Sequence, residues 1–292
     1  MSVEVQPASP DQQLPAAPPS QLSRRRGRSN WLGFVVPPFL VFLAFLGLWY
    51  FVSYGLLTAD RRFLVPPPHA VVQVAFLDTV NLAELLDALW LSTKVAMVGL
   101  GIAIVLGTAL AILMSQARWI ERSIWPYAVV LQCVPILAIV PVIGFWFEFG
   151  FRSRVIVCVI IALFPMIANT LFGLQSVDAG HHDLFTLHGA SRLTRLRKLQ
   201  FPAALPAVFV GLRTSAGLAV IGAIVGDFFF KQGEPGVGIL IDLYRARLQT
   251  EQMFGALILA SLLGVVAFWI FGYLSRLVVG GWHESAGGAA SG

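Results

Sequence analysis

The chain alternates long apolar runs with short polar segments, and six of the runs are long enough to cross a bilayer. They cover residues 31–57, 86–114, 124–147, 155–174, 207–230 and 254–279. A helix needs about 20 apolar residues to cross a hydrocarbon layer of about 30 Å. Because a backbone in lipid must satisfy its own hydrogen bonds, the pattern predicts an all-α membrane protein with six transmembrane helices.

The composition agrees with this prediction. Hydrophobic residues make up 57% of the 292 residues and charged residues only 12%, whereas soluble domains carry about 25% charged residues. The mean hydropathy is +0.79. The net charge of +5 then indicates cytosolic loops that face anionic lipid, and we expect no nucleic-acid partner.

The two ends of the chain are predicted to lie in the cytosol. Residues 1–30 start with a stretch rich in Pro, Ala, Gln and Ser, which is typical of a disordered tail. Arginines at 24–26 and 28 precede the first run and favour an N-terminus inside the cell. The first run is too long for a signal peptide. We therefore expect a six-helix domain over 31–279 and a flexible C-terminal tail over 280–292.

Small residues recur every four positions in the second and fifth runs. Such rows let helix backbones approach closely, which drives packing where lipid gives no hydrophobic gain. We expect both helices to lie in the protein interior. The two rows are Gly99, Ala103, Gly107 and Ala111, and Gly211, Ser215, Ala219 and Ala223.

Three ionisable residues, Lys94, Arg213 and Asp227, lie within or near the predicted spans. Such groups are costly in hydrocarbon and usually face a partner, a cavity or the interface. Arg213 lies near the cytosolic end, where its side chain can reach water. Lys94 and Asp227 both lie toward the outer side, and one interpretation is that they pair. The alternative is that each is solvated separately at the interface.

Proline interrupts two of the spans. Pro135 and Pro141 lie in the third span and Pro165 in the fourth, where each removes a helical hydrogen bond and can kink the helix. Kinked helices suit a moving gate, although kinks without a gating role are more frequent.

One polar segment, residues 177–206, interrupts the apolar pattern in an ordered way. Gly189 provides a turn between two helix-forming stretches, and Ser191 is a suitable N-cap for the second. We expect Pro202 and Pro206 to end this unit and to restart the fifth span. An amphipathic helix resting on anionic lipid, or an ordinary solvated loop, would explain the charges but not the Gly-Ala-Ser break.

The spacing of three short motifs resembles a known family. Residues 189–191 read Gly-Ala-Ser, 202–206 read Pro-Ala-Ala-Leu-Pro, and 211–213 read Gly-Leu-Arg. This is similar to the "EAA" loop of bacterial ABC importer permeases, the binding-protein-dependent inner-membrane component family. In length and span pattern the chain resembles the nitrate/sulfonate/taurine group.

The chain departs from the family pattern at one place. Residues 183–185 read Asp-Leu-Phe where the family often has Glu-Ala-Ala. The acid is kept, but the bulkier Leu184 and Phe185 are expected to alter the fit to the usual partner. Together with residues 221–229, this variation looks more like permeases for pyrimidine precursors and flavins.

The resemblance implies a type I ABC importer permease fold with cytosolic coupling helices, in a bacterial inner membrane. It implies a permease that is not an enzyme, with ATP and Mg²⁺ on a cytosolic ATPase, an extracytoplasmic solute-binding protein and a second copy of the chain as partners. No metal or other cofactor is expected on this chain. The implied ATPase-coupling residues are Asp183, Leu184, Leu187, Gly189, Ala190, Ser191, Arg192 and Leu193. The candidate pathway residues are Pro135, Pro141, Asp227 and Phe228.

Two other classes of protein are less consistent with the sequence. A self-contained secondary transporter or channel would need ionisable residues near the middle of several spans or an inverted repeat, and neither is evident. An intramembrane enzyme would need paired acids, a Ser/His set or metal ligands at one depth. The chain also lacks a GxxxxGK[ST] phosphate-binding loop. The transported solute stays open between pyrimidine precursors or flavins and sulfonates or nitrate.

Overall fold

The computed structural model describes residues 31–280, with side chains from residue 35 onward. The predicted tails at 1–30 and 280–292 therefore lie outside the described residues, Gly280 excepted. The α-helices in the described range are α1 (Trp31–Phe51), α2 (Pro68–Val71), α3 (Thr79–Ser115), α4 (Arg118–Cys133), α5 (Ile136–Phe147), α6 (Phe151–Gln175), α7 (Ala179–Leu187), α8 (Arg192–Arg195), α9 (Phe201–Phe229), α10 (Val237–Ala246) and α11 (Thr250–Val279).

Short turns of other helix types extend three of these elements. π-Helical turns continue α1 through Val52–Leu56, α2 through Val72–Leu77 and α8 through Leu196–Gln200. A 3₁₀ turn at Ala59–Leu64 follows the first of them.

Five helical segments are long and apolar enough to cross a membrane. They are Val35–Leu56, Thr79–Ser115, Phe151–Gln175, Arg192–Phe229 and Thr250–Val279. The predicted span 124–147 is instead a broken helix, because α4 and α5 meet at an angle of 99°. The prediction of an all-α membrane protein with six spans is confirmed, with one span broken.

The break between α4 and α5 has a local cause. Val134 and Pro135 have extended backbones, with ψ angles of 126° and 95°. Proline disfavours the helical conformation in the residue before it and cannot donate a backbone hydrogen bond. Pro141 and Pro165, by contrast, lie inside continuous helices.

The described chain divides into two units after Gly47, within α1. In the first unit, the side chains from Val35 to Gly47 are exposed except for Leu46, which is half-buried. The second unit, from Leu48 onward, contains the other helices and the core.

Helix α6 packs against both α3 and α9, and α3 and α9 also contact each other, so the three helices form the core of the second unit. A Cβ atom on Gly99 of α3 would overlap Cys158 of α6, and one on Gly107 would meet Met166 at 2.8 Å. A Cβ on Gly222 of α9 would approach Cys158 Cα to 2.8 Å. The rows of small residues are buried at these contacts, so the prediction that both helices lie in the interior is confirmed. The order of contacts makes α3 parallel and α9 antiparallel to α6.

Helix α11 packs against α9. Arg213 of α9 turns toward it, with the guanidinium carbon 3.5 Å from the centre of the Phe268 ring. This cation–π contact stabilises the charge of Arg213 within the span. The bundle thus has two ends: an "α7–α8 end", where α6 ends and α9 begins, and an "α10 end", where α6 begins and α9 ends.

The expectation that Pro202 and Pro206 end the polar unit is wrong. The helix runs without a break from Arg192 to Phe229. Residues 196–200 adopt a π-helical register in which the Phe201 N–H donates to the Leu196 carbonyl. This wider turn ends at Gln200, just before Phe201 and Pro202, and Pro202 has no N–H to donate to the preceding turn of the helix.

The close approach of α3 to α6 predicts unequal effects of one added methyl group. Gly99→Ala should lower stability by roughly 1–3 kcal/mol, because the added Cβ overlaps Cys158. Gly101→Ala on the same helix has nothing within 4 Å and should be neutral or stabilising by about 0.5–1 kcal/mol. Thermal unfolding of both variants in detergent measures the difference. Equal midpoints would contradict the packing of α3 on α6.

Candidate functional site

The "α7–α8 loop", residues 177–200, folds around a glycine turn. Gly189 has a φ angle of +61°, a left-handed conformation that side chains with a Cβ rarely adopt. Its N–H donates to the Thr186 carbonyl at 3.0 Å, and the Ala190 N–H donates to the Phe185 carbonyl at 3.0 Å. These bonds terminate α7 with the geometry of a glycine C-cap, which agrees with the turn predicted from the sequence.

Side-chain hydrogen bonds join the two helices of the loop. Ser191 Oγ accepts from the Thr194 N–H at 3.2 Å and so caps α8, as the sequence predicts. Arg195 Nη2 donates to Thr186 Oγ1 at 3.0 Å, and Thr186 Oγ1 donates to the His182 carbonyl at 2.8 Å. The α7–α8 loop is therefore an ordered helix–turn–helix.

Leucines of this loop point away from the protein core. Leu184, Leu187 and Leu193 are 53%, 83% and 62% exposed. Leu196 instead packs on the core cluster around Ala204. Exposed apolar side chains that form one patch on an ordered loop are typical of a protein–protein or membrane interaction site.

The other predicted coupling residues are exposed or half-buried on the same loop. Asp183, Gly189, Ser191 and Arg192 are exposed, and Ala190 is half-buried. A Cβ on Gly189 would meet nothing within 4 Å, so a partner could approach the turn closely. The loop thus combines an apolar contact surface with an acid on α7 and a base on α8.

A buried polar cluster occupies the α10 end. Arg154 of α6 and Asp227 of α9 are fully buried, with Nη1 3.1 Å from Oδ1. Ser92 of α3 donates to Asp227 Oδ2 at 2.6 Å and accepts from the Val237 N–H at 2.9 Å. The Gly238 N–H donates to the same carboxylate oxygen at 3.4 Å. Three core helices and the start of α10 therefore meet at one ion pair.

Arg154 also holds the chain that follows α9. Its Nε and Nη2 donate to the Phe230 carbonyl at 3.1 and 2.6 Å. Nη2 further donates to the Gln232 carbonyl at 3.1 Å, and Nη1 to the Glu234 carbonyl at 3.2 Å. The guanidinium donors are thus directed at the protein itself rather than at an open pathway.

The hypothesis that Lys94 pairs with Asp227 is wrong. Asp227 pairs with Arg154, and Lys94 Nζ lies 5.6 Å from the centre of the Trp90 ring with no carboxylate at salt-bridge distance among the described side chains. The error arose at the start of α6. This helix begins at Phe151 rather than at 155, so Arg154 lies inside the bundle instead of in a loop.

Sequence reasoning missed both Arg154 and Ser92. The available signal was the set of glycines near Asp227. A Cβ on Gly226 would approach Arg154, and a Cβ on Gly236 or Gly238 would collide with Asp227. Backbone approaching a carboxylate this closely requires glycine.

The surface of the α10 end carries paired charges. Asp242 accepts from Lys231 at 2.6 Å and from Arg245 at 2.7 Å, and the Lys231 hydrogen bond, followed by that of Arg245, holds the pKa of Asp242 below its usual range. Tyr244 Oη donates to Glu84 Oε2 at 2.9 Å, which ties α10 to the start of α3.

The four candidate pathway residues do not form one surface. Pro135 and Pro141 are exposed on the broken helix, Phe228 is half-buried near α10, and Asp227 is enclosed. A pathway role stays a prediction for each of the four. Between residues 31 and 280, no group of three or more His, Cys, Asp or Glu side chains is arranged to hold a metal ion.

The described residues form a helical bundle with one broken span and an ordered loop that presents leucines at one end, and the family match that follows identifies this as the type I ABC importer permease fold. Residues 99–280 match the binding-protein-dependent transport system inner membrane component family, and the chain belongs to it. It is therefore a multi-pass membrane permease of an ABC transporter with ATPase and binding-protein partners. The alternative of a self-contained transporter or channel is not favoured.

Named relatives transport different solutes. The formylaminopyrimidine transport permease protein ThiX of Halalkalibacterium halodurans is 31% identical over 233 residues, 79% of this chain and 90% of that protein. The riboflavin transport system permease protein RibX of Chloroflexus aurantiacus is 34% identical over 165 residues, 56% and 61% of the two chains. The nitrate import permease protein NrtB of Synechocystis sp. is 30% identical over 188 residues, 64% and 67% of the two chains.

The left-handed turn predicts different effects of two substitutions at Gly189. Gly189→Val should strain the turn by about 1–2 kcal/mol or more and speed exchange of the Ala190 amide hydrogen roughly tenfold, since 1.4 kcal/mol corresponds to a factor of ten in an opening equilibrium. Gly189→Asn should change it far less, because asparagine tolerates this conformation. Hydrogen exchange with mass spectrometry tests both, and equal rates would contradict the assigned turn.

Proposed function

We propose that the α7–α8 loop of this permease faces the cytosol and docks into a groove on an ABC ATPase subunit. The observation that carries the proposal is the exposure of Leu184, Leu187 and Leu193 on a loop whose backbone is fixed by its own hydrogen bonds. Burying three leucines against a partner releases about 1.5–3 kcal/mol each. Asp183 and Arg192 would orient the contact, and Gly189 would let the partner reach the turn.

Movement of the loop would reach the far side of the membrane through one helix. The helix from Arg192 to Phe229 is 38 residues long, so it spans about 57 Å at 1.5 Å per residue. ATP and Mg²⁺ would bind the partner ATPase, and its closure on ATP would displace the loop. Helix α9 would carry that displacement toward Asp227 and α10, which reopens the pathway to the outside.

The remaining partners follow from the same orientation. A solute-binding protein would dock at the α10 end, and a second copy of the chain would complete the pathway. The solute would be a small organic molecule. A pyrimidine precursor or flavin is preferred over a sulfonate or nitrate, because residues 183–185 and 221–229 resemble permeases for those heterocycles and ThiX and RibX are named for them. Mass spectrometry of the ligand held by the co-purified binding protein tests this preference.

The orientation predicts which side of the membrane labels each exposed leucine position. In a Cys133→Ser background, which removes the exposed native thiol, Leu187→Cys should react with an impermeant maleimide only in inside-out vesicles. Leu248→Cys, in the exposed turn after α10, should react only in intact cells. Labelling from the same side in both variants would contradict the opposed ends, and the reverse pattern would contradict the cytosolic placement of the α7–α8 loop.

Docking through the loop predicts a strong effect of one charge at its tip. Leu187→Asp should reduce co-purification of the ATPase and solute uptake at least tenfold. The reason is that a carboxylate would replace an apolar side chain that is buried in the docked complex. Leu248→Asp is the matched control, with the same change at a similarly exposed leucine at the other end. It should leave ATPase co-purification unchanged, and membrane insertion should be normal in both. Retained ATPase binding by Leu187→Asp would exclude the loop as the docking site.

A further inference from the structure

The buried ion pair at the α10 end fastens a defined part of the surface. We call residues 230–248 the "outer cap": the chain after α9, helix α10 and the turn that follows. Arg154 binds three carbonyls in its first part, and Asp227 and Ser92 bind the first two amides of α10. The outer cap is therefore attached to three core helices through their side chains.

The surrounding backbone is built to fit this pair. Gly226 lies against Arg154, where a Cβ would come within 3.1 Å of its Cα. Gly236 and Gly238 lie so close to Asp227 that neither has room for a Cβ. The outer cap closes over the carboxylate and excludes water from it.

The same attachment reaches the broken helix. The Phe230 ring is fully buried in a cluster with Val140 and Ile143 of α5, 6.1 Å from the centre of the Phe149 ring. The Gln232 N–H donates to the Phe149 carbonyl at 3.1 Å. A displacement of the outer cap would thus act on α5, on the turn that follows it, and on α6.

A buried ion pair is a poor way to gain stability, because desolvation offsets much of the attraction and packed apolar residues would serve as well. Removing one partner of the ion pair leaves an uncompensated buried charge. The attachment is therefore present only when both partners are in place. An attachment of this kind passes a displacement of the outer cap to the core helices. A purely apolar contact between helices could slide instead.

We infer that Arg154, Asp227 and Ser92 are positioning residues that make the outer cap move as one body with α3, α6 and α9. When the solute-binding protein docks on the outer cap, the resulting displacement of the cap is thereby transmitted to the broken helix α5 and to the α7–α8 loop. This inference rests on the proposed function, since it takes the α10 end as the docking face. The three residues act by holding the cap and do not contact solute.

The test compares ATP hydrolysis with and without binding protein. The complex of permease and ATPase is reconstituted in nanodiscs, and the probe is the co-purified binding protein with the solute that it carries when isolated. Ser92→Ala removes the bonds to Asp227 and Val237. It should lower the ratio of stimulated to basal ATPase activity by roughly fivefold or more, the size of a coupling between sites, with complex assembly and basal activity retained.

Ser215→Ala is the matched control. Ser215 is as fully buried as Ser92 and donates across helices to the Ala162 carbonyl at 2.8 Å, but it lies away from the outer cap. Its stimulation ratio should equal that of the unchanged protein. Asp227→Asn should lower the ratio further than Ser92→Ala, and if it does not assemble, Ser92→Ala decides the matter.

The outcomes separate the two proposals. A permease that is not stimulated by binding protein before any substitution overturns the proposed function. Normal stimulation in the unchanged protein and in Ser92→Ala overturns the inference alone. An equal fall in Ser92→Ala and Ser215→Ala also overturns it, because the effect would then reflect any lost buried hydrogen bond.

Discussion

The structure depends on the close approach of α6 to α3 and α9. Lipid is as apolar as a leucine side chain, so helices gain no hydrophobic free energy by meeting in a bilayer, and contact relies on van der Waals packing and hydrogen bonds. Here the backbones meet where Gly99 of α3 and Gly222 of α9 both face Cys158 of α6. Ser215 adds a hydrogen bond to the α6 backbone. The positions of both bundle ends follow from this three-helix core.

Helix α9 connects the two ends of that core. It continues from α8 through a π-helical turn that precedes Pro202, and it ends at the buried pair that holds Phe230. One end of a continuous helix therefore lies at the exposed α7–α8 loop and the other at a buried ion pair. In the proposed function, this continuity lets a displacement of the α7–α8 loop reach the buried pair.

Local chemistry made the spans and the turn predictable, and long-range contacts escaped prediction. Hydropathy gave the spans, and Gly189 with Ser191 gave the turn, because each depends on neighbouring residues. The spacing of small residues predicted buried faces but not that both face α6. The Arg154–Asp227 pair joins residues far apart in sequence, and a shift of four residues in the start of α6 hid one of them. Periodicity cannot identify which of several cations reaches a given carboxylate.

The two ends of the bundle differ in the kind of partner that they suit. Exposed leucines on the α7–α8 loop are costly in water until a partner covers them, and permanent interfaces are the more apolar ones. The outer cap has a single comparably exposed leucine, Leu248, and presents Lys231, Asp242 and Arg245 as surface ion pairs, which contribute little free energy and weaken with salt. A lasting complex with an ATPase and a brief encounter with a binding protein would require these two surfaces. The asymmetry between the ends therefore supports the proposed orientation independently of the charge pattern of the loops.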